Sequence, residues 1–246
     1  MSNRLLDRQI SLLEYLSSTA AIFGDQDDAP LDSALQGIDQ GVLRLQARFA
    51  CNKRLERIIA VFPRTFEIFG ADQSLILREF VEVSQPASKS TLANAREFHE
   101  FLSVRWQCEP PKPAYLPDVA ACELAMAEVR NVVEGHEMPA KKGKCDGPER
   151  GIRHRRSVVP LRCAYDIRSI FDAGSGEAVP PKRDTSLVVT LPAGFHNVRI
   201  MEVAPVVVDV LTLLDDWADP RTLDAFGDRE NLVSQLAADD LIEVRA

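Results

Sequence analysis

The sequence predicts an α+β protein: an N-terminal all-α helical domain followed by a C-terminal winged helix-turn-helix. Three observations carry that prediction. Up to about residue 135, apolar residues recur mainly at helical spacing. The stretches that read as strands, Val158 to Tyr165, Ser186 to Leu191 and Phe195 to Val203, all lie after residue 157. There the order is hairpin, long helix, short helix and third helix, the order of a winged helix. A basic, glycine-bearing stretch lies between, so the expected division is 1–140, a linker at 141–157, and 158–246.

Leu5, Leu6, Ile10, Leu13, Leu16 and Ala20 place a helix over Arg4 to Phe23, with Gly24 as its C-terminal cap. A second helical stretch runs from Asp32 to about Phe49. Asn52 can cap a third, whose apolar face includes Leu55, Ile58, Ile59 and Phe62. After Pro63 come Phe66, Ile68 and Phe69, ending at Gly70; at this helix-Pro-helix turn the phenylalanines are expected to be buried. Asp72 or Gln73 begins a helix through Ile76, Phe80 and Val81 that Pro86 stops, and Phe98, Phe101 and Leu102 belong to one more. Tyr115 to Val133 is a strong helix, with Pro117 tolerated in its first turn.

From Lys141 to Arg162 eight Lys and Arg stand against Asp146 and Glu149. Gly143, Gly147, Pro148 and Gly151 argue for a flexible, solvated linker; an electrostatic contact with an acidic peptide or partner is the functional alternative. Val158 to Tyr165 reads as a strand, and 172–184 as a loop. Ser186 to Leu191 and Phe195 to Val203 flank a Pro/Ala/Gly turn and form a hairpin. Pro205 then opens a helix on which Val207, Val210, Leu211, Leu214 and Trp217 share a face. Asp219-Pro220 ends it. Arg221 to Phe226 makes a short helical piece, Asp228 to Ala238 the third helix, and Leu241 to Val244 closes the chain.

A winged helix suggests DNA, but the charges oppose it. From Glu202 onward there are eleven acidic and three basic residues. The helix that would enter a groove sets Arg229 against Asp228, Glu230, Asp239 and Asp240, where phosphate binding requires Lys and Arg. The whole chain of 246 residues carries a net charge of −8, which disfavours nucleic acid and anionic membranes as partners. It has no apolar run of about 18 residues and no signal-peptide core at its start, so a cytoplasmic protein is expected.

Nothing in the sequence assembles a catalyst. Cys51, Cys108, Cys122, Cys145 and Cys163 are scattered without C-x-x-C spacing and read mostly as small buried hydrophobes. His99, His136, His154 and His196 lack metal-ligand spacing, and no Walker A, G-x-S-x-G or G-x-G-x-x-G motif occurs. Glu79 and Glu82 share a helical face as a solvated pair. The expectation is a non-enzyme with no cofactor and no metal of its own.

Several ordered motifs resemble a known group. Arg57-Ile58-Ile59-Ala60-Val61-Phe62-Pro63-Arg64-Thr65-Phe66, Phe80-Val81 with Ser84-Gln85-Pro86, Glu97-Phe98 with Phe101-Leu102, and Tyr115-Leu116-Pro117-Asp118 are similar to the α-helical domain of a bacterial family that carries a DNA-binding label. The likeness continues through Leu161 to Phe171 and into Val207 to Ile242, which resembles the winged-helix recognition element of enzymes that make ribosomal peptide natural products (RiPPs). The resemblance implies a companion subunit of a multinuclear non-haem iron oxidase. The partner would hold the irons and oxidise a cysteine of a precursor or carrier peptide. Within that group the likeness points to the thiaglutamate pathway, in which a C-terminal cysteine added to a carrier peptide loses its β-carbon.

It further implies that a leader peptide adds as a strand to the hairpin edge and lies against the third helix, taking affinity from backbone hydrogen bonds. The edge strand is then Phe195 to Val203, with Val198, Ile200 and Glu202 on one face. Leu232 and Leu236 are expected to face the core and leave Arg229 and Val233 nearer the groove. A DNA-binding regulator is the alternative, which the basic stretch favours and the acidic third helix opposes.

Overall fold

In the computed structural model, which describes residues 2–24, 32–84, 90–133, 151–172, 179–192 and 197–245, the chain is α+β. It divides between Glu109 and Pro110 into two units.

The first unit is helical. α1 (Ser2–Ser17) and α2 (Thr19–Phe23) replace the single helix expected there, because Ser18 stops one and caps the next: its Oγ donates to the Tyr15 carbonyl and accepts from the Ala21 N–H. α3 (Gln40–Val61) starts where the Asp39 carboxylate accepts from the N–H groups of Gly41 (2.7 Å) and Val42 (3.2 Å). It runs unbroken through Asn52, so the two helices expected over 32–62 are one, preceded by a short 3-10 turn at Ser33–Leu35. Pro63 opens α4 (Pro63–Phe69), and Gly70, at φ 54°, ends it in a conformation that suits glycine. α5 (Gln73–Val83) and α6 (Thr91–Cys108) complete the unit.

Its core is aromatic. Phe98 is fully buried, and its ring lies 5.1 to 6.1 Å from those of Phe62, Phe66, Phe80 and Phe101. Arg54 crosses beside this cluster, its guanidinium 4.7 Å from the Phe80 ring centre. It donates to Asn94 (2.8 Å), Ser84 (3.0 Å) and Glu97 (2.8 Å), so α3, α5 and α6 are tied by one side chain.

The second unit begins with α7 (Leu116–Val133). This corrects the expected boundary near residue 140: α7 packs on the sheet of the C-terminal part. The sheet has the order β2 (Val158–Tyr165), β3 (Lys182–Thr190), β4 (Arg199–Glu202), all antiparallel. The short α8 (Arg168–Phe171) lies between β2 and β3 in sequence. Beyond β4 come α9 (Pro205–Leu213), a 3-10 turn (Pro220–Phe226) and α10 (Arg229–Ala238). α9 ends at Leu213, short of the expected Trp217.

The central strand β3 is buried on both faces from Thr185 to Thr190, because helices cover both. One face, with Val158, Val188, Met201 and Val203, joins Val210, Leu211, Leu214 and Leu236 of the C-terminal helices. The other carries Leu187, Val189, Cys163 and Ile200, and α7 packs against it.

Part of the expected linker is also structured. β1 (Gly151–His154) pairs with β5 (Ile242–Arg245), and Ile152 exchanges two 2.9 Å backbone hydrogen bonds with Ala218 on its other side. Arg153 pairs with Glu243 (2.7 Å) and lies over the Trp217 ring, Arg155 pairs with Asp240 (2.6 Å), and Arg162 pairs with Asp209. These three arginines of the basic stretch are thus bound to acids of the same chain. Residues 141–150 lie outside the described residues.

Candidate functional site

A three-stranded sheet has two outer edges, and here they differ chemically. Antiparallel pairing alternates between residues that exchange hydrogen bonds and residues that turn their N–H and C=O away. Val203 donates to Ser186 (2.9 Å), which makes that pair a bonded one. By alternation Met201 and Arg199 also bond to β3, while Ile200 and Glu202, opposite Val189 and Leu187, direct their backbone groups outward.

The β2 edge is blunted. Leu191 donates to Ser157, so the outward positions of β2 are Val158, Pro160 and Arg162. Pro160 has no N–H to offer, a common guard on edge strands. Near the end of β2 the Asp118 carboxylate of α7 accepts the Tyr165 N–H at 2.9 Å. Burial raises the Asp118 carboxyl above its ordinary value, against the lowering effect of the hydrogen bonds from Tyr165 and Ala164. Among the described residues, then, β4 offers an N–H as well as a C=O at both outward positions, and β2 does not.

The five residues expected to line one groove are split between two sides of this edge. Val198 and Ile200 line a cleft of ≈ 660 Å³ with Met126 of α7 and Asp166, Arg168 and Phe171 around α8. Val233 is half-buried against the opposite core, the one that holds Met201 and Val203, and Arg229 is paired with Asp224 at 2.9 Å. The expected single groove is therefore corrected. Side chains two apart on a strand share a face, and the face of Val198 and Ile200 is the one toward α7. Leu236 is buried in the core as expected, with Leu232 packed at its margin.

Glu202 is not a free recognition side chain. Arg168 makes a two-pronged contact with Asp166 (2.8 and 2.7 Å) and reaches Glu202 at 2.7 Å. Arg183 bridges the same two carboxylates at 2.6 and 2.9 Å. The four side chains close a ring that joins the β2–α8 junction, β3 and β4. A β-bulge, where Ala164 faces both Arg183 and Asp184, accompanies it. Hydrogen bonds from Arg168 above all hold the Asp166 carboxyl well below the usual carboxylate range, and the same pairing raises Arg168.

Comparison of the chain with protein-family models and with curated proteins finds no match.

A second candidate surface belongs to the helical unit. Leu6, Ile10 and Leu13 of α1 are 55%, 45% and 67% exposed, and Val42, Leu45 and Phe49 of α3 are 51%, 69% and 64% exposed. Both triplets fall at helical spacing, and α1 packs against α3. Large apolar side chains repeated on adjacent helix surfaces mark an interaction site more often than an ordinary monomer surface.

Among the described residues, no group of three His, Cys, Asp or Glu is arranged to hold a metal ion, and no helix is long and apolar enough to cross a membrane. His154 contacts the Arg155 carbonyl and Asp215 (3.2 Å); His136 and His196 lie outside the described residues. The four-residue ring, the cleft and the blunted β2 edge were missed in the sequence. Only Pro160, a proline inside a β-branched run, carried a readable signal for any of them.

Proposed function

We propose that the chain is a non-catalytic companion subunit that binds a ribosomally made precursor or carrier peptide as an added strand on β4. It presents a cysteine of that peptide to a multinuclear non-haem iron oxidase. In this reading the region from β2 to β5 is a winged helix of the RiPP-recognition type, and the protein is cytoplasmic. The partner supplies the iron and the oxidation, in the thiaglutamate manner of removing the β-carbon of a C-terminal cysteine. The exposed apolar rows of α1 and α3 support docking of that oxidase on the helical unit. The observation that carries the reading is the β4 edge, where Ile200 and Glu202 turn backbone donors and acceptors outward. Against DNA stand the acidic C-terminal helices, whose Arg229 is already paired.

Proline separates pairing on the two sides of β4. Ile200→Pro removes an outward N–H that β3 does not use, whereas Met201→Pro removes one that it does. A random dodecapeptide library displayed on phage, selected on the full chain, supplies the ligands. The expected result is that Ile200→Pro keeps the circular dichroism spectrum and loses at least tenfold in affinity for the selected peptides, while Met201→Pro disturbs the fold itself. Unchanged affinity in Ile200→Pro would place the peptide elsewhere.

A further inference from the structure

We propose that the cleft beside β4 is a side-chain pocket that selects bulky uncharged residues at alternate positions, i and i+2, of the strand added to that edge. This rests on the strand-addition reading above and extends it to specificity.

The link is Ile200. Its backbone groups face the open edge, while its side chain lines the cleft. Residues opposite one another across an antiparallel pair have Cβ atoms about 4.5–5.5 Å apart on the same face. A residue set against Ile200 therefore projects over the cleft, and so does the residue two positions along. The intervening residue projects to the other face, toward the core of Met201 and Val203. The edge and the cleft thus make one continuous surface.

The charges of the cleft decide the class of occupant. Asp166 and Arg168 are engaged in the ring with Arg183 and Glu202, and Asp172, the third charged residue of the lining, stands near enough to Arg168 to help raise it, so the charges of the cleft are set against one another. A charged side chain entering here would lose water without gaining a partner, a cost that selects against it. Apart from these charged groups and the Ser169 hydroxyl, the walls are Met126, Phe171, Pro181, Val198 and Ile200, and a methionine adapts readily to the shape it meets. Size sets the number of residues. A cavity of about 150 Å³ takes a benzene ring, so ≈ 660 Å³ leaves room for two bulky side chains.

The same displayed library tests this separately from strand addition. Peptides selected on the wild-type full chain should carry aromatic or branched aliphatic residues at two positions separated by one, with Asp, Glu, Lys and Arg depleted there. Met126→Glu should weaken those peptides at least tenfold and, on reselection, draw Lys or Arg to one of the two positions. Met126→Ala, which only enlarges the cleft, should shift selection toward larger aromatics and serves where the glutamate variant fails to fold. Binders that Ile200→Pro abolishes but that show no such alternation, or that ignore both Met126 variants, would refute the pocket and leave strand addition standing. No binders at all would refute both.

Discussion

Phe98 and Phe49 are the same residue type on helices of the same unit, and the structure gives them opposite fates. Phe98 is fully buried among four other phenylalanine rings, whereas Phe49 is 64% exposed. Replacing a buried Phe with Ala costs about 3–5 kcal/mol through lost transfer energy and an unfilled cavity. Phe98 belongs at the upper end, because its ring pairs each add about 0.5–1.5 kcal/mol beyond burial. For a unit of this size that lowers the melting temperature by about 15 °C or more. Phe49→Ala should stay within about 0.5 kcal/mol of the parent, as surface changes usually do. The two tryptophans make the assay clean. Trp106 lies in α6 and Trp217 in the second unit, so urea titration followed by fluorescence in a Trp217→Phe background reports the helical unit. A loss below about 1.5 kcal/mol in Phe98→Ala would refute the aromatic core. A loss in Phe49→Ala as large as that in Phe98→Ala would mean that the α3 row is part of the fold and no docking surface. On the proposed function, Phe49→Asp should also abolish co-purification with a co-expressed iron oxidase of the companion family while the helical unit still melts as before.

Asp166 has its carboxyl depressed by Arg168 and Arg183, so its contribution to stability is present above the unfolded value, near pH 4, and fades as pH falls toward the folded one. The gap in urea midpoint between the wild type and Asp166→Asn should therefore narrow below about pH 4; a constant gap from pH 7 to pH 2 would contradict the ring. Thiol labelling offers a third check. Burial raises the thiols of Cys51 and Cys122, and burial with the nearby Asp118 and Asp166 takes Cys163 to about 12, while Cys108 is exposed. Maleimide at pH 7.5, read by peptide mapping, should modify Cys108 in the native chain and reach Cys51, Cys122 and Cys163 only on unfolding; Cys145 lies outside the described residues. Early labelling of Cys122 or Cys163 would show that α7 does not cover the sheet.

Elements that a local pattern specifies were legible in the residues. Phe80 and Phe98 sit in helices because apolar spacing and the absence of breakers demand it. The second strand follows from its β-branched run and the third from the run Ser186 to Leu191 closed by Pro192, although β3 begins at Lys182, within the stretch read as a loop; Pro205 opens α9 as a first-turn proline should. The boundary of α3 was misread at Asn52, since a capping residue inside a helix is outweighed when the flanking turns pack on neighbours.

Position in the tertiary structure was not legible, for a physical reason. Periodicity states which side chains share a face but not which layer that face meets. The spacing of α7 fits a helical bundle as well as a sheet; packing on β2 and β3 decides for the sheet. Gly151–His154 is four residues long and reads as linker; its pairing with β5 and Ala218 makes it a strand, from contacts more than sixty residues away in sequence. The alternation of Val198, Ile200 and Glu202 was visible, and the edge strand with it. That Ile200 faces a cleft under α7 and Glu202 closes a charge ring, rather than both meeting the third helix, depends on the β3–β4 register and on which helix covers each side of the sheet. Those are long-range contacts, and a one-residue shift of register would have turned every side chain of β4 to the opposite face.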